Sequence, residues 1–247
     1  MFRKLILALL LISSLSASSL KVAVASNVRF AFKEIATAYE KKTGVKIITI
    51  VSSSGKLTAQ IEHGAEFDLF LSANMKYPIY LSSKQLAATK PKVYAYGRLV
   101  LWSTNKKVDI SLNALKDKVV RKIAIPNPKL APYGVQAIRV LEKHNIKDEV
   151  SSKIVWGESI SQTTKYIYSR AADIGITAKS VVLSPRLKGV GRWIELDEKD
   201  YRPIAQGIVI LKYGYENNKK LSVDFYDFIF SSEGRKILIK YGYKIDE

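Results

Sequence analysis

Four short turns in this sequence lead from a predicted strand into a predicted helix through small or proline-led residues. They are Ala25-Ser26-Asn27, Ser53-Ser54-Gly55, Pro132-Tyr133-Gly134 and Glu158-Ser159-Ile160-Ser161. In an open parallel sheet such turns lie at the carboxyl ends of the strands, where ligands bind. Each presents unpaired backbone N–H groups at the positive end of a helix dipole, which suits an anion. At roughly +0.5 elementary charge per terminus, the four together offset about two negative charges without any arginine. A serine ahead of a helix is ordinarily an N-cap, so Ser26 and Ser54 gain weight as anion donors only when they occur together.

Catalytic constellations fare worse. Ser53-Ser54-Gly55-Lys56 fits S-x-x-K, Ser103-Thr104-Asn105 resembles S-x-N and Lys42-Thr43-Gly44 is a K-T-G, but the K-T-G precedes the serine instead of following it at a long interval. Lys42-Thr43-Gly44 is also accounted for as a helix end. His63 and His144 fall near predicted helix C-termini, where a cation suits the dipole. H-x-x-x-H, G-x-S-x-G and Walker patterns are absent from the sequence. Glu158, Asp68 and Asp173 have no partner at readable spacing and fit capping or strand-start roles.

The elements that position these turns follow from periodicity. Residues 21–24 form a short apolar strand; residues 28–42 have helical spacing with Phe32, Ile35, Ala36 and Tyr39 on one face, closed by Gly44. Residues 45–51 are β-branched and read as a strand, 56–63 as a helix stopped by Gly64, 68–71 as a buried strand and 74–83 as a helix. The pattern then recurs, with strands at 99–102, 122–125, 153–156 and 173–176, and helices at about 132–144 and 158–170. A last strand at 206–211 precedes helices at about 222–230 and 232–241. Asp68-Leu-Phe-Leu and Asp173-Ile-Gly-Ile each begin an apolar strand with an aspartate just after a helix, suggesting two lobes built to one plan. The expected fold is α/β, each lobe a mostly parallel sheet flanked by helices. Without a Pro/Gly/Ser-rich linker, the lobes are expected to join by two extended crossings, near Tyr96-Gly97-Arg98 and Arg202-Pro203-Ile204.

Composition narrows the class. The 247 residues are 47% apolar and 25% charged, enough for one large domain or two lobes. Zero cysteines exclude a disulfide scaffold, a thiolate metal site and a cysteine nucleophile. Forty Lys+Arg against 22 Asp+Glu give +18, yet the doublets Lys41-Lys42, Lys106-Lys107 and Lys219-Lys220 are far apart and no run reaches five like charges. The excess reads as a compositional bias and not a nucleic-acid footprint. Arg3-Lys4, an apolar run over 5–12 and small polar residues over 13–19 form a secretory signal peptide too short in its apolar part to span a bilayer. Cleavage is expected after Ala17 or within the next two residues, leaving a soluble, exported chain.

Several stretches resemble the periplasmic molybdate-binding proteins of ABC importers. They are Val22-Ala-Val-Ala-Ser26-Asn, Tyr39-Glu-Lys-Lys-Thr-Gly-Val45, the segment from Ser53 to Ala65 followed by Asp68-Leu-Phe-Leu-Ser-Ala73, Asn127-Pro128…Pro132-Tyr133-Gly134, Gly157-Glu158 and the ending Phe225…Gly234…Tyr241-Gly-Tyr243. The resemblance covers essentially the whole mature chain, and Ser53 to Ala65 with Asp68 is its most specific part. It implies a flytrap fold: residues 1–19 signal peptide, residues 20–97 with 204–247 lobe 1, and residues 98–203 lobe 2. The implied function is capture of molybdate or tungstate in the interlobe cleft and delivery to an ABC permease. The chain is then no enzyme, needs no cofactor, and works as a periplasmic monomer that is not embedded in the membrane and binds no nucleic acid.

Carried over by position, Ser26 and Ser54 each give a hydroxyl and a backbone N–H to the oxyanion, while Tyr133 and Ile160 each give a backbone N–H. These four residues would hold the metal only as its oxyanion. One departure is that Gly175-Ile-Thr-Ala178 places alanine where some members carry a tyrosine whose hydroxyl touches the anion. The physics agrees: a buried dianion requires a full shell of donors, each contributing roughly 1.5–3 kcal/mol. A donor-only shell suits molybdate or sulfate, whereas phosphate keeps a proton and wants an acceptor, for which only Glu158 offers itself. The alternatives are a protein of the same fold for another solute such as a sulfate-like oxyanion, an amino acid or a metal, and, less favoured, a secreted hydrolase or a basic surface-binding protein.

Overall fold

The computed structural model describes residues 18–245, so the signal-peptide segment lies outside the described residues. In chain order the first elements are β1 (Ser19–Ala25), α1 (Arg29–Thr43), β2 (Lys46–Ser52), α2 (Ser54–Glu62), β3 (Leu69–Ser72), α3 (Lys76–Ser83) and β4 (Lys92–Gly97). The chain then crosses to β5 (Leu99–Ser103), β6 (Ile123–Pro126), α4 (Pro132–Lys143), α5 (Lys147–Val150), β7 (Ile154–Gly157), α6 (Ile160–Tyr168), β8 (Ile174–Ala178), α7 (Lys179–Val182) and β9 (Arg192–Glu195). It returns through β10 (Ile204–Ile210) to α8 (Lys212–Asn217), α9 (Lys219–Phe230) and α10 (Ser232–Lys240).

Two five-stranded sheets result, ordered β2-β1-β3-β10-β4 and β7-β6-β8-β5-β9. In each, three neighbouring strands run parallel, and the fourth and fifth are antiparallel to their neighbours. Strand for strand the second sheet repeats the first. The antiparallel half of each follows from the crossings. β4 and β9 are the outer strands beside which the chain leaves one sheet for the other, and β5 and β10 are the strands on which it arrives. Sequence periodicity locates the parallel blocks but misses β4 and β9. β4, at an outer edge, buries only Tyr94, Ala95 and Gly97 without alternation, and β9 is a four-residue edge strand with no fully buried residue.

The face expected for α1 is the one it buries: Ala31, Phe32, Ile35, Ala36 and Tyr39. It ends at Gly44, whose φ of 74° is a left-handed conformation glycine adopts without Cβ strain. On that side of the first sheet Phe225 of α9 meets Phe32 edge-on at 5.8 Å and Tyr39 at 4.9 Å. The opposite face is covered by α2 and α3 through Leu57, Ile61 and Leu81 over Phe70 and Val209. A third, larger cluster centred on Leu101, Trp102, Ile123 and Ile176 fills the second half.

The paired aspartates are structural. Asp68 Oδ2 accepts the Lys21 N–H at 2.6 Å, and Asp173 Oδ2 accepts the Arg121 and Lys122 N–H groups at 2.9 and 3.0 Å. Each pins the start of a central strand, β3 or β8, to the start of its parallel neighbour. His63 and His144 sit one residue past α2 and α4, with ring nitrogens on Ala59 O and Asp200 Oδ2.

Candidate functional site

The carboxyl ends of the parallel strands of both sheets face each other across a small cavity. It is lined by Ala25, Ser26, Asn27, Ser53, Ser54, Ala73, Ala131, Pro132, Tyr133 and Ile160, with ≈ 170 Å³ of space between protein atoms. All four residues singled out in the sequence are therefore brought to one place, and all are at most 3% exposed. The lining holds no charged side chain.

The donors follow from accounting for the first N–H groups of each helix, which have no intrahelical acceptor. α2 opens at Ser54, so Ser53 is the N-cap and its Oγ accepts the Lys56 N–H at 3.4 Å. The Gly55 N–H crosses the cleft to Leu130 O at 3.1 Å. That leaves the Ser54 N–H, which has no acceptor among the described residues. α6 repeats this scheme. Ser159 caps the Gln162 N–H at 3.2 Å, and the Gln162 side chain returns to the Glu158 N–H at 2.7 Å, a variant of the capping box. The Ser161 N–H crosses the cleft to Ser26 Oγ at 3.4 Å, and the Ile160 N–H is left over. In α4 Pro132 takes the first position, where its missing N–H costs nothing. The Gly134 N–H returns to Ala131 O at 2.9 Å, leaving the Tyr133 N–H without an acceptor among the described residues.

The hydroxyls complete the set. Ser54 Oγ accepts the Ala73 N–H at 2.9 Å, and Ser26 Oγ accepts the Ser161 N–H at 3.4 Å. An oxygen that accepts from the protein keeps its own O–H to donate. Neither serine is a helix N-cap, since those places belong to Ser53 and, ahead of α1, Val28. One expectation needs correction: the Ser26 N–H donates to Ser52 O at 2.9 Å, because the β1–β2 ladder runs one residue past the strand. Ser26 therefore offers its hydroxyl only. Ala178 is buried at the end of β8 and does not line the cavity.

Asn27 is the lining residue that sequence reasoning passed over. Its N–H has no acceptor among the described residues, and its buried Oδ1 has no partner. Its Nδ2 lies 2.7 Å from Gln206 Oε1, 3.0 Å from Tyr243 Oη and 3.4 Å from Tyr133 Oη. The Ser180 hydroxyl on α7, which follows β8 of the second sheet, donates to Asn27 O at 2.7 Å. This knot ties β10, the C-terminal residues and both sheets together behind the cavity. Burial pushes the Tyr133 phenol well above its ordinary value and Tyr243 up to about 12, so both stay neutral. A Cβ on Gly97, in the crossing strand, would collide with the Tyr133 hydroxyl. The signal available for Asn27 was its place directly after Ser26 in the first turn.

At the rim Lys56 Nζ meets Glu158 Oε2 at 2.6 Å across the cleft. Glu158 is thus spent on a lysine and stays outside the cavity, which removes the one carboxylate a protonated anion could have used.

Comparisons with known proteins agree with this geometry. A family profile described as bacterial extracellular solute-binding protein matches residues 20–244. The molybdate-binding protein ModA of Azotobacter vinelandii is 35% identical over 95% of this chain and 93% of its own length. ModA of Rhodobacter capsulatus is 35% identical over 92% of this chain and 89% of its own. A solved structure of an Azotobacter vinelandii periplasmic molybdate-binding protein superposes with a TM-score of 0.87 at 31% identity, covering 92% of this chain and all of that one.

Proposed function

The chain belongs to the bacterial extracellular solute-binding proteins, and on that footing we propose that it captures molybdate or tungstate between its two lobes and hands the anion to an ABC permease. The observation that carries this reading is the chemistry of the cavity wall: buried, uncharged and rich in donors from both sheets. Ser26 and Ser54 supply hydroxyls; Ser54, Tyr133, Ile160 and Asn27 supply N–H groups. Hydrogen bonds to a charged acceptor contribute roughly 1.5–3 kcal/mol each, so a handful offsets the loss of hydration that a lone buried dianion would suffer. A fully deprotonated tetrahedral oxyanion fits a wall of donors. Phosphate, which carries a proton near neutrality, would find no carboxylate there.

Because the wall is divided between residues 20–97 with 204–247 on one side and 98–203 on the other, the anion bridges two lobes and draws them together. Residues 97–98 and 203–204 lie in the crossings about which they turn. The site holds no nucleophile paired with a base, which supports binding and not catalysis, and no cofactor is required. No helix among the described residues is long and apolar enough to cross a membrane. The amino-terminal residues act as an export signal, removed after Ala17 or within two residues, and the mature monomer works in the periplasm.

Calorimetric titration of the mature protein with molybdate, tungstate, sulfate and phosphate tests the reading. Tight binding of molybdate and tungstate with weak or no binding of phosphate is expected. Preference for sulfate would assign the same site to the smaller oxyanion, and binding of none of the four would overturn the proposal.

A further inference from the structure

A second cleft lies beside the first cavity, the two meeting at the start of α6. It is lined by Arg29 at the start of α1 and, from the opposite lobe, by Glu158, Ser161, Lys165, Tyr168 and Arg186. The space a water molecule can occupy amounts to ≈ 690 Å³ here, against ≈ 10 Å³ in the first. Two guanidinium groups, one from each lobe, line this one cleft. Neither has a carboxylate partner among the described residues. The carboxylate that does line the cleft, Glu158, is held by Lys56 at 2.6 Å. Lys165 adds a third cation.

Arg29 is half-buried, while Arg186 is exposed. The Arg29 guanidinium lies 4.2 Å from the centroid of the Phe30 ring, and Arg186 lies 5.9 Å from that of Tyr168. Burial, and secondarily Arg186, lower the Arg29 pKa from its ordinary value, which is how a half-buried cation behaves when a like charge is its neighbour. Ser161, which lines this cleft, has a buried Oγ with no partner among the described residues. Unpaired guanidinium forks are a common protein recognition surface for planar or branched oxyanions.

We propose that this cleft is a second anion site that takes a small multiply charged oxyanion too large for the first cavity, of the condensed-phosphate or polycarboxylate class. Its cations come from both lobes, so an occupant ties α1 to α6 and the segment after α7 in the closed arrangement. Because the same closure completes the first cavity, the two sites are coupled: an anion here raises affinity there, and by linkage the reverse.

The test uses the mature protein saturated with molybdate, titrated with inorganic pyrophosphate and, separately, with citrate. One pyrophosphate or citrate should bind without displacing molybdate, with an affinity that falls steeply with salt. Arg29→Gln and Arg186→Gln should each weaken it at least tenfold while leaving binding of molybdate alone within about threefold. Pyrophosphate or citrate should also tighten molybdate binding to the unmodified protein and not to either variant. Whichever probe binds identifies the source of the charge. Binding of neither probe, displacement of molybdate, or an affinity in the two variants equal to that of the unmodified protein would overturn the second site. The titration with molybdate alone reports separately on the first.

Discussion

The two halves of the cleft solve one problem with different atoms. α2 and α6 open in the same way, with an N-cap serine closing the third N–H, the second N–H crossing to the other lobe and the first left for the cavity. Yet in the proposed anion shell the first lobe adds two side-chain hydroxyls, Ser26 and Ser54, whereas the second offers only the main chain at Tyr133 and Ile160. A backbone donor is fixed by the helix and barely depends on residue type. A hydroxyl donor depends on one oxygen, which must itself be held by an acceptor role, as Ala73 and Ser161 hold these two. The first lobe is therefore the half that single substitutions can tune, and the second the half that only backbone chemistry can reach.

That contrast is broken most severely at Ile160. It is the first residue of α6, a position where proline fits, and Ser159 before it is extended at φ −158° and ψ 166°, as a residue preceding proline must be. Ile160→Pro removes the N–H and sets a ring carbon where its proton pointed. Molybdate affinity should fall by more than about 150-fold, beyond the roughly 1.5–3 kcal/mol of one charged hydrogen bond. Ile160 is also buried core, so Ile160→Val serves as control: it keeps the N–H, costs about 0.5–1.5 kcal/mol of stability and leaves affinity alone. A proline variant that folds and binds normally would remove Ile160 from the anion shell.

How far the sequence reveals the site follows the same division. Ser54 is legible because its serine run before a helix occurs together with Ser26 in a second such turn. Which of Ser53 and Ser54 caps the helix is not, since it turns on a one-residue shift of the helix start, here Ser54 where periodicity places it at Lys56. Tyr133 and Ile160 carry no chemical mark, because an amide looks alike in every residue. They became visible only through resemblance to a family and the position of their turns. Ser26 shows the converse: its hydroxyl was legible, but the loss of its N–H to Ser52 depends on how far a strand pairing extends. At the level of fold, Asp68 and Asp173 betrayed the repeated plan. The antiparallel outer strands β4 and β9 stayed hidden, because edge strands bury too little to enforce alternation.

A sharper reading of the first lobe comes from its three serines. Ser54→Ala and Ser26→Ala each remove a hydroxyl while leaving every backbone donor in place. Each should weaken molybdate binding about 10- to 150-fold, the equivalent of roughly 1.5–3 kcal/mol. Ser54→Ala should also cost some stability, because the Ala73 N–H loses its acceptor in a buried setting. Ser53→Ala instead removes a cap, so thermal denaturation should show a loss of about 1 kcal/mol while affinity changes little. Equal and small affinity losses at all three would mean that the first lobe, like the second, binds through its main chain.

The weakest expected effect is at the rim, where the lobes meet through charge and not through donors. Lys56 and Glu158 lie 2.6 Å apart, but their side chains are 43% and 58% exposed. Exposed pairs of this kind contribute roughly 0.2–1 kcal/mol and are screened by salt. Lys56→Gln should therefore weaken molybdate binding no more than about fivefold at low salt, with the difference from the unmodified protein vanishing near 1 M salt. The direction is fixed by geometry, because the bond forms only when the lobes are together and so adds to closure. Glu158→Gln should match Lys56→Gln within error if the pair acts as a unit. A loss larger than that at Glu158 alone would place its carboxylate in the cavity wall, beside the serines, and a loss that survives 1 M salt would mean that Lys56 reaches the anion itself.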